Sequence, residues 1–293
     1  MKIAILGTGF LGTKLFNQLK KDNEVITASL NPEENTEKLD ALNIKELEYF
    51  MQKHKPELII DTIALTSSLK CEQNPELAEK LNYQTASNIV KVASPIKAKV
   101  IFISSSYVFD GKKGDYSETD PVNPENVYGI EKIKAEKKVL ESGGLVLRVD
   151  IMYGYNSKNN PNGVFDKILS NKEIEERNPT QLRTPLFIDD VAQIIIKLIE
   201  NNQSGIFNVA GPDKITIYDF QKQLEEIARK NKDSKIKIIN DPNALIKPPM
   251  NTTLNTKKIN SLRIYTTPLK QGLKKLKEQF ERDNWISLAK LSV

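Results

Sequence analysis

The sequence predicts an α/β fold with a doubly wound parallel sheet, and three observations support this prediction. Short β-branched runs alternate with longer helical patterns along the 293 residues, as is typical of βαβ units. A glycine-rich turn follows the first of these runs directly. Hydroxyl side chains follow a later buried run, at the strand end where open α/β sheets bind their ligands.

The glycine-rich turn lies between a predicted strand at 2–6 and a helical run at 13–21. In this context the first glycine permits a tight turn, the second lets the backbone approach a pyrophosphate, and the third lets helix and strand pack closely. The pattern predicts a Rossmann-like dinucleotide site, with a plain glycine-rich turn as the alternative. The residues predicted to contact the cofactor here are Gly7, Gly9, Phe10, Leu11 and Gly12.

The second predicted strand, at 24–28, bears on the choice of cofactor. Dinucleotide sites for NAD usually place an acid at the end of this strand, where it binds the ribose hydroxyls. The chain instead continues with Ser29, Leu30 and Asn31. Because no carboxylate would repel a 2′-phosphate there, we predict NADP, with Ser29 as a ligand and NAD as the alternative.

The third predicted strand, at 57–61, is followed by small and hydroxyl side chains around Ala64. Side chains of this size let the nicotinamide half of a dinucleotide cross the edge of the sheet. We therefore predict that Ala64 contacts the cofactor.

Acid–base chemistry is predicted for a tyrosine and a lysine one helical turn apart. Tyr128 and Lys132 share a face of a predicted helix, just after the hydroxyl cluster of residues 104–106. A phenol with a pKa near 10 becomes useful at neutral pH when an ammonium favours its ionised form. A nearby serine can then hold the carbonyl oxygen that receives the proton. Two other Tyr–Lys pairs with this spacing, at 49/53 and 218/222, lack such hydroxyls and are interpreted as helix surface pairs.

Composition excludes several other classes of function. One cysteine and one histidine leave no metal cluster, no intramolecular disulfide and no Ser-His-Asp chemistry. The net charge of +5 comes from 43 basic and 38 acidic residues scattered along the chain, which does not indicate nucleic-acid binding. With no signal peptide and no apolar span of about 20 residues, we expect a soluble, cytoplasmic protein with no membrane partner.

The segments SSSYVFDG, from Ser104, and ETDPVNPENVYGIEK, from Glu118, resemble the extended short-chain dehydrogenase/reductases. Within that family they resemble the dTDP-4-dehydrorhamnose reductase branch, over essentially the full length of the chain. The resemblance implies a catalytic triad of Ser105, Tyr128 and Lys132, in which Lys132 also holds the cofactor. It further implies that Asp40 faces the adenine, with a cap of the following helix as the alternative.

The resemblance also implies residues on the substrate side. Val164 and Phe165 match the place where the family covers the nucleotide base, and Ser106 follows the catalytic hydroxyl. Arg183 is a phosphate ligand in one interpretation and a structural salt bridge in the other. Asp189 is expected to cap a helix. Leu65, Leu69 and Ser106 depart from the family pattern, which affects the substrate more than the cofactor.

The resemblance implies residues 1–154 as the dinucleotide-binding domain, to which 189–210 returns. Residues 155–188 and 211–293 are assigned to a smaller, interleaved C-terminal substrate-binding lobe. The function implied is reduction of a 4-keto-6-deoxy nucleotide sugar with NADPH or NADH. Two alternatives stay open, a non-catalytic NADP-binding regulatory subunit similar to that of methionine adenosyltransferase, and a nucleotide-sugar epimerase. A homodimer also stays open.

Overall fold

The computed structural model describes residues 1–32, 35–155, 164–169, 174–176, 179–229, 236–238, 245–246 and 248–290. Its strands are β1 Lys2–Leu6, β2 Glu24–Ser29, β3 Glu37–Lys38, β4 Leu58–Asp61, β5 Lys99–Ser105, β6 Leu145–Val149, β7 Met152–Tyr153, β8 Ile174–Glu176, β9 Leu182–Arg183, β10 Leu186–Phe187, β11 Gly205–Val209, β12 Ile215–Thr216 and β13 Ile236–Ile238.

A seven-stranded parallel sheet forms the centre of the molecule, in the order β11-β6-β5-β4-β1-β2-β3. The order reverses between β1 and β4, which is the switch point where doubly wound sheets bind ligands. Strand β4 and all but the first residue of β1 are buried, as expected for strands covered on both faces. This arrangement confirms the predicted fold class.

Helices cover both faces of the sheet. They are α1 Phe10–Leu19, α2 Ile44–His54, α3 Ser68–Gln73, α4 Pro75–Glu79, α5 Thr85–Ala93, α6 Val127–Glu141, α7 Val164–Leu169, α8 Asp190–Glu200, α9 Ile217–Arg229, α10 Lys257–Ser261 and α11 Leu269–Lys290. One core lies between the sheet and α1, α8 and α10, and a second lies between the sheet and α2, α5 and α6.

A third, aromatic core belongs to the smaller C-terminal lobe. It is built around Tyr153, Phe187 and Phe220, with residues of α7, α9 and α11 packed against them. The lobe takes its residues from separate parts of the chain, so it is interleaved with the sheet domain. The domain boundaries given above stay predictions. The Asn and Pro content of residues 156–163 predicts a flexible loop, and this segment lies outside the described residues.

The amphipathic pattern of residues 75–92 predicts one helix, and the structure has a π-helical turn, Lys80–Gln84, that joins α4 to α5 within it. The wide turn places Asn82 inside the protein with no exposed surface. Its side chain accepts a hydrogen bond from the Leu65 amide at 2.8 Å and donates one to the Leu65 carbonyl at 3.2 Å. The turn therefore fixes the segment that follows β4.

A buried ion pair ties α6 to the sheet. Arg148 of β6 donates to both carboxylate oxygens of Glu136, at 2.9 and 2.7 Å, and Ser104 of β5 donates to the same carboxylate at 2.5 Å. Both charged side chains are only 4% exposed. Bidentate geometry fixes direction as well as distance, so the pair sets the position of α6 against two strands.

Removing one partner of this pair should destabilise the protein strongly. We expect Arg148→Met to lower the free energy of unfolding by about 3–5 kcal/mol, because it leaves the Glu136 carboxylate buried and unpaired. Urea denaturation followed by circular dichroism measures the change. Lys138→Met serves as the control, since its pair with Glu141 lies on the same helix but is exposed, and should cost about 1 kcal/mol or less. Equal losses in the two variants would contradict this account.

Candidate functional site

The glycine-rich turn has the geometry that a dinucleotide requires. Gly7 adopts a φ of +98°, which favours glycine, and a Cβ added at Gly12 would lie 2.0 Å from the Gly7 carbonyl oxygen. A Cβ added at Gly9 would meet no atom of the described residues within 4 Å. The first and third glycines thus serve close packing, and the second keeps one side of the backbone open to a ligand.

Helix α1 begins at this open side. Gly9 is its N-cap and supplies no side-chain hydrogen bond to the first amides. Leu11 is only 6% exposed, and Phe10 packs against the same core. Their side chains therefore serve packing, and their backbone amides are the groups left to bind an anion. The residues present fit a pyrophosphate.

The far end of β2 fits a second phosphate. The Ser29 hydroxyl is buried and has no hydrogen-bond partner among the described residues. Strand β3 pairs with β2 so that Lys38 lies opposite Ser29. Sequence reasoning missed Lys38 because a two-residue strand carries no periodic signal. Ser29 thus offers a hydroxyl and Lys38 a cation at the place where NADP would carry a 2′-phosphate and NAD a ribose hydroxyl.

Asp40 does not cap the helix that follows it. The cap of α2 is Asn43, whose side chain accepts from the Lys45 and Glu46 amides. The Asp40 carboxylate instead accepts from the Leu42 amide at 2.9 Å. The capping alternative is therefore wrong, and the contact of Asp40 with adenine stays a prediction.

The triad residues come together at the carboxyl end of β5. Ser105 ends that strand, its Oγ accepts from the Tyr107 amide at 3.2 Å, and its side chain lies near enough to the Tyr128 phenol to act on the pKa of that group. Tyr128 lies in the first turn of α6, where the Asn126 side chain accepts from the Gly129 amide at 2.9 Å. A Cβ at Gly129 would lie 2.2 Å from the Tyr107 carbonyl oxygen. The absence of a side chain at Gly129 thus lets α6 approach the loop that carries the serines.

Lys132 lies beneath the tyrosine, inside the protein. Only 2% of the residue is exposed, and its ammonium donates to the Ile103 carbonyl at 2.9 Å. The Nζ atom is 4.4 Å from the ring centroid of Phe102 and 5.8 Å from that of Tyr128. Burial lowers the pKa of Lys132 to about 8, although the negative charges of Asp61 and Glu136 act to raise it. The ammonium therefore stays mostly charged at neutral pH.

Burial also governs Tyr128. It raises the pKa of the phenol well above its ordinary value, and the smaller effect of the Ser105 side chain is to lower it. The tyrosine is therefore a protonated donor at neutral pH. The sequence predicted that Lys132 lowers this pKa, but the pKa is raised, and Lys132 is not among the groups that shift it.

Ala64 lies partly exposed between β4 and α3. The two hydrogen bonds between Asn82 and Leu65 hold the next residue in place. The segment therefore presents a small side chain beside the switch point of the sheet, and its contact with the cofactor stays a prediction.

Ser106 belongs to a buried polar cluster. Its hydroxyl lies 3.1 Å from both Asp150 Oδ1 and Thr252 Oγ1, and the residue is 1% exposed. Asp150 also accepts from the Thr184 amide at 2.6 Å and from the Thr184 hydroxyl at 3.0 Å. The described geometry assigns the Ser106 hydroxyl to holding the lobe against the sheet domain, and its predicted contact with substrate is not supported.

Arg183 is buried beside this cluster, with 3% of its surface exposed. Its guanidinium donates to the Leu182 carbonyl at 2.9 Å, to the Tyr107 hydroxyl and the Pro249 carbonyl at 3.2 Å, and to the Gln181 side chain. The nearest Asp150 oxygen lies 4.0 Å away. These contacts favour the structural interpretation over the phosphate ligand.

Phe165 has no exposed surface and packs edge-on against Tyr155 and Phe280 in the lobe core. Its predicted contact with a nucleotide base is not supported, because the ring is enclosed by the lobe. Val164 begins α7, and its side chain lies outside the described residues.

Asp189 stands at the N-cap position of α8 but makes no capping hydrogen bond with its side chain. Its carboxylate instead forms an ion pair with Lys14 of α1 at 2.9 Å and accepts a hydrogen bond from Gln279 of α11 at 2.6 Å. The capping role predicted from the sequence is therefore wrong. Asp189 therefore joins α1 to α11, the last helix of the lobe.

The described part of the chain shows neither a metal-binding cluster nor a membrane-spanning helix. It contains no group of three or more side chains suited to holding a metal ion. No helix there is both long enough and apolar enough to cross a lipid bilayer.

The glycine turn at the switch point and the Ser–Tyr–Lys group on β5 and α6 define an extended short-chain dehydrogenase/reductase. Within that class, residues 1–282 match the family model described as the RmlD substrate binding domain. The chain belongs to this family, whose structural neighbours include dTDP-4-dehydrorhamnose reductases. The resemblance stated from the sequence is thereby confirmed.

Three relatives show the range of this family. The dTDP-4-dehydrorhamnose reductase of Clostridium acetobutylicum is 27% identical, with a TM-score of 0.82 over 96% of this chain and 100% of that one. Methionine adenosyltransferase 2 subunit beta of Mus musculus is 28% identical over 93% of this chain and 86% of its own length. A protein of Haloferax volcanii named a probable low-salt glycan biosynthesis reductase is 26% identical over 75% and 77%. The relatives thus include both reductases and a subunit of another enzyme.

Two glycine variants separate ligand binding from folding. Gly9→Ala should leave the melting temperature of the apo-protein unchanged and weaken NADPH binding by roughly tenfold or more, or about 1.4 kcal/mol. Gly12→Ala should destabilise the apo-protein by about 1–3 kcal/mol, because the new methyl group overlaps the Gly7 carbonyl. Thermal unfolding and fluorescence titration measure the two effects. Unchanged NADPH affinity in Gly9→Ala would refute the pyrophosphate site.

Proposed function

We propose that this protein reduces a 4-keto-6-deoxy nucleotide sugar with NADPH. The observation that carries the proposal is the buried Ser105–Tyr128–Lys132 group beside a turn that fits a dinucleotide. The similarity to the dTDP-4-dehydrorhamnose reductase of Clostridium acetobutylicum supports the substrate class.

Each triad residue has a role that its surroundings support. The cofactor, when bound, supplies the hydride that reduces the ketone carbon. Tyr128 donates its phenolic proton to the ketone oxygen, and its raised pKa keeps that proton in place until the oxygen becomes basic. The Ser105 hydroxyl, near the phenol, orients the same oxygen. Lys132 presents positive charge beneath the tyrosine ring and is proposed to hold the nicotinamide ribose.

The preference for NADPH is proposed from the end of β2. Ser29 offers a buried hydroxyl without a partner among the described residues, and Lys38 lies opposite it in the sheet. A phosphate gains from both groups, whereas a ribose hydroxyl gains little from the cation.

A second candidate is a non-catalytic, NADP-binding subunit of methionine adenosyltransferase. The mouse relative, a subunit of that enzyme, favours this candidate. The engagement of Ser106 and Arg183 in buried structural contacts also favours it, because fewer polar groups are left to bind a sugar nucleotide. A subunit of this kind would bind NADPH and co-purify with methionine adenosyltransferase while reducing no keto sugar.

Substitutions in the triad distinguish enzyme from subunit. Tyr128→Phe removes one oxygen and should lower reductase turnover by about 10²–10⁴-fold, while NADPH affinity and melting temperature persist. Ser105→Ala should cost less, because water can replace one hydrogen bond. Turnover with dTDP-4-keto-6-deoxy sugar is the measurement, and Tyr49→Phe on the exposed face of α2 is the control. Wild-type protein that binds NADPH but reduces no sugar nucleotide, and that captures methionine adenosyltransferase in a pull-down, would establish the second candidate.

Reductase activity should also depend on the charge of Lys132. Because the pKa of Lys132 is lowered to about 8, the ammonium is lost as the pH rises through that value, and activity should fall with it. Lys132→Arg keeps its charge to much higher pH, so any residual activity should lose this fall. Profiles of kcat/KM between pH 6 and 10 test this expectation. A wild-type profile that stays flat to pH 10 would contradict it.

Cofactor choice can be inverted at β2. Ser29→Asp places a carboxylate where the 2′-phosphate is proposed to lie, and should weaken NADPH binding by roughly tenfold or more while sparing NADH. Lys38→Met should weaken NADPH less, and also spare NADH. Dissociation constants for both dinucleotides in each variant decide the matter. Equal losses of affinity for NADPH and NADH would show that the 2′-phosphate is not bound at Ser29 and Lys38.

A further inference from the structure

Asp61 ends β4 with a carboxyl group to which the proposed reaction gives no role. The residue is 1% exposed. One carboxyl oxygen accepts from the Ile63 amide at 3.0 Å, and the other has no hydrogen-bond partner within the described ranges. A buried carboxylate oxygen without a partner is costly unless an opposite charge lies nearby.

The ammonium of Lys132 supplies that charge. Asp61 pairs in register with Phe102 of the neighbouring strand, and the Lys132 Nζ lies over the Phe102 ring. Lys132 also donates to the carbonyl of Ile103, the next residue along β5. The two charges are close enough for each to act on the other's ionisation.

The other ionisable groups that face Lys132 are already compensated or neutral. Glu136, one turn along α6, accepts two hydrogen bonds from the Arg148 guanidinium. Cys71 of α3 has its thiol pKa raised by burial to about 11, so it carries no charge at neutral pH. Tyr128 is protonated at neutral pH. Asp61 is therefore the acidic neighbour of Lys132 whose charge is not neutralised by another ion pair within the described residues.

We propose that Asp61 is the counter-ion of Lys132, a positioning residue that holds the buried ammonium charged and in place beneath Tyr128. Its importance for turnover rests on the proposed function, whereas the ion pair itself does not. Sequence reasoning missed Asp61 because a single carboxylate at a strand end carries no motif.

The ionisation of the two groups defines a pH window for the pair. Burial raises the pKa of Asp61 to about 6, and burial lowers that of Lys132 to about 8. Below the window the carboxyl is neutral, and above it the amine is neutral. An ion pair between them therefore contributes most near pH 7.

A double-mutant cycle on the apo-protein tests the pair directly. Melting temperatures of the wild type, Asp61→Asn, Lys132→Met and the double variant are measured at pH 5, 7 and 10. At pH 7 the loss of Asp61 should lower the melting temperature more in the wild type than in Lys132→Met, with a coupling on the order of 2 °C. The coupling should vanish at pH 5 and at pH 10. Asp61→Glu, which keeps the charge, should restore part of it.

A coupling that is absent at pH 7, or equal at all three pH values, would overturn the proposal, since packing alone gives no pH dependence. Should the double variant fail to fold, the pH dependence of NADPH binding replaces the cycle. Asp61→Asn removes the charge that supports the ammonium, so its transition should move about one pH unit or more below that of the wild type. An unmoved transition would overturn the proposal equally.

These outcomes are separate from those of the proposed function. A pH-dependent coupling in a protein that reduces no keto sugar would keep the ion pair and reject the reductase. Reduction of the sugar without such a coupling would keep the reductase and reject the ion pair. When both hold, Asp61→Asn should lose activity at a lower pH than the wild type.

Discussion

The buried pair of Arg148 and Glu136 is the interaction on which the candidate site most depends. It joins β6 to α6 through two hydrogen bonds, and Ser104 adds a third from β5. Tyr128 and Lys132 lie on that helix, and Ser105 follows Ser104 on that strand. A shift of the helix along the sheet would break this bidentate geometry. The pair therefore sets the distance between Ser105 on β5 and the Tyr128 and Lys132 side chains on α6.

A second set of polar contacts fixes the lobe to the sheet domain. Asp150 binds Ser106 and Thr184 in a region with almost no exposed surface. Asp189 joins α1 to α11 on the nucleotide side. Buried polar groups of this kind specify one arrangement because any other leaves them unsatisfied. These contacts therefore fix the position of the lobe relative to the sheet domain.

The sequence predicted the sheet, the glycine turn and the family well, because each has a local signal. The glycine spacing is written in consecutive residues, and strand burial is visible in apolar runs such as β4. The triad could be predicted only because a motif places Tyr128 after the serines.

The capping role predicted for Asp189 is wrong for a physical reason that is general. Asp189, Ser106 and Phe165 have side-chain partners that lie far along the chain. Asp189 and Gln279, for example, are 90 residues apart. A side chain whose partner is that distant has no local pattern to report it. The same holds for the electrostatic effect of Asp61 on Lys132, which arises only because β4 and β5 pair.

The π-helical turn at Lys80–Gln84 has a consequence for how this chain can change length. Such a turn accommodates one residue more than a regular helix, so deleting a single residue within it would restore the regular winding. The helical residues on either side would keep their places, because the deletion removes only the residue that widens the turn. Asn82 would then leave the backbone of Leu65, although the helix itself would gain regularity. Alignment gaps in this helix should therefore be rare among relatives that keep the site, even though the helix ends at an ordinary surface turn.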